Sequence, residues 1–453
     1  MLASAALVAA QIPFDIVEYE IVEFDPIKYD GTLEPCAAVN IVLTAGETDL
    51  PAELAFACLN SVPVDVEGDR ELIEELKLLW QFQSDIAWLQ TPPDTWELGP
   101  TDLIAELDNI KNNLSQFPSE YAVQLAIWAI TVHTGNFHFN YVPDILQVFS
   151  FKRNFTIAAI SDDGKIFPKI YHTFDAIDLH DKAPGKFSPI KTINGEDVYK
   201  FLENVAARST YSDLDGQLNS LYWKGAHEDS FGSFYSMEQY QGDWTNITFE
   251  NGTSRSYENT ATTKYDFADV VDGGSFFLKY CTGAISGYKD SLAGESKRRS
   301  LNKRTVIPTE YYPTAVAQDK SNLVAGYFLQ SQSYQDTAVL KIISFNAEDV
   351  AAQLDFQATV KKFVAECVKN KKTKLVIDLR ENGGGSTNIL LDTVFQLFPK
   401  ETPFSGQHNR VHEIYAAVAD SVEEIYTNAT LKQRFETFTG TSMCHRSFSD
   451  TEN

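Results

Sequence analysis

Asn382, Gly383, Gly384 and Gly385 form the stretch of this chain best suited to chemistry, since consecutive glycines reach backbone conformations closed to most residues. A turn of that kind can aim backbone N–H groups at a developing negative charge, as an oxyanion hole for acyl transfer requires. A glycine triplet can also serve only a loop that needs glycine, so its surroundings decide between the two. Other chemistries are poorly supplied. His408 and His412 have the four-residue spacing of a helical zinc pair, but HNRVH lacks the glutamate of the HExxH pattern. No CxxC pair, phosphate loop, dinucleotide fingerprint or GxSxG elbow occurs, so neither a metal nor another cofactor is expected.

The elements that must position the glycines are visible around them. Leu375, Val376 and Ile377 predict a strand buried on both faces, with Asp378 and Arg380 marking its emergence. Upstream, Thr337 to Ile343 predicts a second buried strand. Between the two, Asp355 to Lys369 places Phe356, Val360, Phe363, Val364 and Cys367 at helical spacing. A further helix is predicted from Ile389 to Leu397. Strand, helix, strand, glycine turn and helix make a βαβ unit whose loop lies at the carboxyl end of a strand, where open α/β sheets place their sites.

With these segments in view, the chain resembles peptidase family S41, the tail-specific protease superfamily of serine peptidases. The resemblance rests on KIISF at Lys341–Phe345, LVIDLRENGGG at Leu375–Gly385 and DTVFQLFP at Asp392–Pro399. It is strongest to a secreted fungal branch whose PDZ-like domain is similar to that of the chlamydial protease CPAF, and it covers about residues 33–410. It implies an α/β multidomain protein: a helical region at 33–145, a PDZ-like β-rich domain at 146–281, a linker at 282–322 and a ClpP/crotonase-like core at 323–453. The implied activity is serine-type hydrolysis of polypeptides, with N–H groups of Gly383, Gly384 and Gly385 in the oxyanion hole.

The resemblance also directs attention to two histidines. The fungal branch carries its catalytic histidine in an HDGHF phrase, which corresponds here to TVHTGNFHFNYVPD at Thr131–Asp144. His133 matches the first histidine, Thr134 replaces the aspartate, and Asn136 stands where the second histidine belongs. An amide cannot act as the base, which leaves His133 or His138, the latter expected beside Asn136 in an extended strand. The family's nucleophilic serine lies well after the glycine turn in a segment of small residues, and nothing after Gly385 resembles that segment. Ser386 is read as a turn residue, and the core as incomplete, cut short before its nucleophile. The competing expectation is an inactive relative or fragment acting as a peptide-binding scaffold. The PDZ-like region is a candidate for binding peptide ends or for self-association.

Composition narrows the partners. A length of 453 residues suits two to four domains, and 63 acidic against 37 basic side chains give a net charge of −26. Such a chain repels nucleic acid and anionic membrane surfaces. No apolar run after the start is long enough for a membrane span. Residues 1–10 are short, apolar and signal-like, although they lack a basic n-region. The resemblance pairs Cys36 with Cys58 in a disulfide, whereas Cys367 sits on the apolar side of its helix as a buried thiol. Sequons at Asn113, Asn154, Asn246, Asn251 and Asn428 are compatible with a glycosylated, secreted protein.

Along the rest of the chain, Arg70–Gln90, Asp102–Leu114 and a segment after Pro118 predict helices, with Tyr121 and Trp128 as core. Phe149–Ile160 alternates as a strand, Ser188–Ala206 predicts strand, Asn-Gly turn and helix, and Phe249–Ala261 predicts a hairpin. The polar stretch from Thr282 to Asn322 reads as a linker. Its basic clusters Lys297–Arg299 and Lys303–Arg304 are solvated surface or, more sharply, sites of dibasic processing.

Overall fold

The computed structural model describes residues 31–179, 187–224, 231–237, 239–282, 312–404, 406 and 410–433. The signal-like segment, both basic clusters and His408 lie outside the described residues. The chain forms two compact units, one from Met1–Val62, Asp144–Ser209 and Leu214–Pro399, the other from Pro63–Pro143, Thr210–Asp213 and Lys400–Asn453. Among the described residues no helix is long and apolar enough to cross a membrane.

In the first unit, helices Pro35–Thr44 and Ala52–Asn60 are joined by a Cys36–Cys58 disulfide with a Cα–Cα distance of 4.5 Å. Glu34 caps the first helix by accepting from the Ala37 N–H, and the Ser61 hydroxyl donates back to Glu34. Helix Gly273–Tyr280 packs on both and begins in a capping box between Asp272 and Ser275. Its first residue must be small, since a Cβ on Gly273 would lie 2.1 Å from the Ser61 carbonyl oxygen. Beside these helices, strands Asp49–Pro51, Thr260–Thr262, Ser150–Lys152 and Ser236–Met237 form an antiparallel sheet in that order.

A second sheet runs Glu196–Asp197, Ile190–Ile193, Trp244–Phe249, Ser254–Glu258, with helix Val198–Ala206 closing its core through Val198, Leu202 and Val205. Asn194 and Gly195 take φ values of 50° and 79°, the left-handed pair that a two-residue hairpin demands. Asp197 then caps the helix by accepting from Tyr199 and Lys200. Phe149–Ile160 is two strands in different sheets, Ser150–Lys152 and Ile157–Ile160, rather than one. Arg153 makes the break: its guanidinium is buried, bonds the Phe234 carbonyl and Gln241, and lies 4.4 Å over the Phe234 ring.

The third sheet of this unit carries the glycine turn. Strands Ala317–Gln318, Val324–Phe328 and Thr337–Ile342 are antiparallel, and Lys374–Asp378 adds in parallel register, from Thr337 opposite Lys374 to Lys341 opposite Asp378. Helix Val350–Lys369 makes the crossover, capped by Asp349 and burying Phe356, Val360 and Phe363 on the sheet. Gly326 lies beneath Phe363, where a Cβ would come within 2.0 Å of the ring. The last strand differs from expectation. Leu375, Val376 and Ile377 are 42%, 48% and 38% exposed rather than buried on both faces. It is an edge strand paired only with Thr337–Ile342 among the described residues.

The second unit packs helices Val66–Leu79, Leu103–Asn112 and Glu120–His133 around Ile73, Leu107, Val123 and Ile127. Asp65, Asp102 and Ser119 cap the three. The segment expected as one helix over Arg70–Gln90 breaks at a 3-10 turn, Trp80–Phe82, before resuming at Ile86–Gln90. Within this unit Asp69 and Glu120 are 3% and 4% exposed, and both accept from one Gln124 nitrogen, at 2.9 and 2.7 Å. Tyr141 donates to the Gln124 oxygen and the Asp65 N–H donates to Glu120. Burial, followed by the neighbouring Glu120 charge, pushes Asp69 up to about 8. A carboxyl raised in the folded state stabilises most below its unfolded value of about 3.9 and loses that contribution as pH rises toward 8, at up to about 1.4 kcal/mol per pH unit. The Asp69→Asn protein should therefore show a flatter fall in stability between these limits. Urea unfolding followed across pH checks this, and an unchanged slope would remove Asp69 as its source.

Candidate active site: the glycine turn

The turn is fixed at its entry by charge. Asp378 is buried and receives Arg380 in a bidentate pair, Nε to Oδ1 at 3.0 Å and Nη2 to Oδ2 at 2.8 Å, as well as the Arg380 N–H. Lys341, fully buried on the neighbouring strand, places its Nζ 3.5 Å from Asp378 Oδ1 and also donates to the Arg380 carbonyl. Burial alone would raise the Asp378 carboxyl, but the Arg380 hydrogen bonds and the two positive charges hold it below its ordinary value. Burial lowers Lys341, against the pull of Asp378. Glu381 follows with φ of 61°, unusual for a side chain of its size, and its carboxylate pairs with Lys224 at 2.7 Å.

Asn382, Gly383, Gly384 and Ser386 are tied to the end of the Thr337–Ile342 strand and the residues that follow it. Asn382 donates from Nδ2 to the Ile342 carbonyl at 3.0 Å, while its Oδ1 accepts the Gly384 N–H at 2.8 Å. The Gly383 N–H reaches the Ile343 carbonyl at 3.2 Å, the Gly384 carbonyl accepts the Phe345 N–H at 2.7 Å, and the Ser386 N–H reaches the Phe345 carbonyl at 2.9 Å. The expected donors are thereby narrowed. Two of the three glycine N–H groups, those of Gly383 and Gly384, are already engaged within the turn. The Gly385 N–H has no acceptor among the described residues. Ser386 is the N-cap of helix Thr387–Leu397, and its side chain makes no capping bond, so that helix presents an open first turn beside Gly385. Pattern reading could not separate the three glycines, because the Gly383 acceptor, Ile343, lies forty residues upstream and the Gly384 acceptor depends on how Asn382 is turned.

The two histidines lie in the second unit. His133 is the last residue of helix Glu120–His133 and is exposed. His138 is also exposed and sits in a turn rather than the extended strand expected, its N–H bonded to the Asn136 Oδ1 at 2.9 Å. Asn136 is thus a turn-forming residue. Sequence reasoning overlooked Glu106, which lies close enough to His133 to feel its charge. Burial raises the Glu106 carboxyl, and His133 opposes the rise. His412 stands at the N-cap position of helix Glu413–Thr427, without a side-chain capping bond, and packs 4.7 Å edge-on against Phe82, so it is not one of two ligands on a single helix face. Among the described residues no cluster of three or more His, Cys, Asp or Glu could hold a metal.

A parallel strand feeding a glycine turn, tied to its neighbouring strand and opening a helix, together with a separate PDZ-like sheet, agrees with two family models. A CPAF-like PDZ domain matches residues 150–268 and peptidase family S41 matches residues 336–435. The chain is thus similar to peptidase family S41 over that segment. It is 26% identical over 377 residues to the Peptidase S41 family protein phomP1' of Diaporthe leptostromiformis, covering 78% of this chain and 54% of that protein. Its similarity to phomP1 of the same organism has the same identity and extent. The Peptidase S41 family protein ustP of Aspergillus flavus is 27% identical over 165 residues, 35% of this chain and 34% of that protein. The chain spans about half the length of the two Diaporthe relatives.

Proposed function

We propose that this protein is a secreted serine-type peptidase acting on polypeptides, with the Gly385 N–H and the open first turn of helix Thr387–Leu397 receiving the oxyanion. The observation that carries this reading is the Gly385 N–H, which has no acceptor among the described residues while the N–H groups of Gly383 and Gly384 are engaged. His133 or His138 is the general base, and Glu106 beside His133 favours His133, since a carboxylate orients an imidazole and stabilises its cation. The nucleophilic serine comes from outside the described residues. The exposed apolar face of strand Lys374–Asp378 supports this, because further β-structure in the active enzyme would cover it.

Loss of the base should lower turnover by roughly 10²–10⁴. We expect His133→Ala to show that loss in the native gene product and His138→Ala to remain near wild type. Rates on an unfolded polypeptide decide between them, and normal activity with both histidines replaced would exclude either as the base. A second reading is favoured by Asn136, which holds a turn where the family pattern has a histidine. In that reading the protein binds peptides without cleaving them, along the PDZ-like sheet edge. Peptide capture with no new termini, by a folded native protein, would support it.

A further inference from the structure

The chain from Lys341 to Phe345 follows the glycine turn like a rail. Lys341 bonds the Arg380 carbonyl, Ile342 accepts from Asn382, and Ile343 accepts from Gly383. Ser344 Oγ lies 3.3 Å from the Gly384 carbonyl, and Phe345 bonds both Gly384 and Ser386. Most of these contacts use backbone groups that any sequence would supply. Lys341 is different, because a fully buried ammonium is expensive unless paired, and an apolar residue of similar volume often serves stability as well.

Neutralising Asp378 does not explain the lysine, since the bidentate Arg380 already does so. What the Lys341 side chain adds is a donor for the Arg380 carbonyl, two residues before Asn382. We propose that Lys341 is a positioning residue: by tying the Arg380 carbonyl to the Asp378 carboxylate from the adjacent strand, it sets the exit of the chain into the turn and keeps the Gly385 N–H unbonded. Its effect on turnover rests on the peptidase reading above, whereas its effect on the order of the turn does not.

Amide hydrogen exchange on the native protein tests this. In Lys341→Met, exchange at Gly383, Phe345 and Ser386 should quicken roughly tenfold or more, as expected for the loss of a hydrogen bond to a charged group, while Ala325 and Val339 keep their rates. If the native protein hydrolyses polypeptide, kcat should fall roughly tenfold with little change in KM. Unchanged exchange at the turn, or equal acceleration throughout the strands, would overturn the proposal. Arg380→Ala provides a second arm at an exposed side chain. Lys341 still holds the carbonyl of residue 380 there, so the turn should keep its protection, and its loss would also overturn the assignment. A native protein without hydrolysis defeats the peptidase reading alone, because the exchange rates still judge Lys341.

Discussion

Alanine at Gly385 should reduce peptide hydrolysis by roughly 10²–10³, the scale of losing one oxyanion donor, and should destabilise the first unit by about 2–4 kcal/mol. Gly385 takes φ of 133°, and a Cβ there would lie 2.2 Å from the Phe345 carbonyl carbon and 2.4 Å from the Asn346 nitrogen. Both are backbone atoms, so the turn must move away from its rail. Its neighbours give a graded control. Gly384 has φ of 83° but open space around its Cβ position, so alanine costs about 1–2 kcal/mol of left-handed strain. Gly383 has neither a positive φ nor a neighbour within 4 Å, so alanine there should be nearly neutral. Thermal melts and rates on the three variants check the order. Equal effects at all three positions would mean that the glycines serve flexibility instead of one aimed donor.

Removing the Cys36–Cys58 bond, with alanine at both positions, should cost about 3 kcal/mol, the value expected for closing a loop with a sequence separation of 22. Both cysteines are buried beneath helices Pro35–Thr44 and Ala52–Asn60, so a reductant should reach the bond only when the helix pair opens. Denaturant unfolding with and without reductant measures the cost. Mass analysis of the mature native protein reports the bond itself, and two free thiols there would contradict the secretory assignment.

The parts of the fold most legible in the sequence were those set by local chemistry. The Asn-Gly turn before Asp197 needs left-handed residues, and the helices begin at Asp102, Ser119 and Asp349, whose side chains accept first-turn N–H groups. The βαβ unit was legible because Phe356, Val360 and Phe363 repeat at the helical period between two β-branched runs. Features decided by distant partners were not. An apolar run at Leu375–Ile377 says that burial is favourable, but not whether a neighbour covers both faces. A buried Arg153 splits an alternating segment because its guanidinium is held by Phe234 and Gln241, some eighty residues away in sequence. The site divides in the same way. The glycine triplet marked a turn at the end of a strand, whereas the hydrogen bonds that separate Gly385 from Gly383 and Gly384, the contacts of Lys341 and Asn382, and the proximity of Glu106 to His133 depend on folding.

Peptide-bond cleavage by the native gene product is the decisive property. An unfolded polypeptide is incubated with the folded, disulfide-bonded protein, and new amino termini are identified by mass spectrometry. New termini are expected, and they should vanish in the Gly385→Ala protein. A folded native protein that generates none, or a Gly385→Ala protein that cleaves at the wild-type rate, would contradict the proposed function.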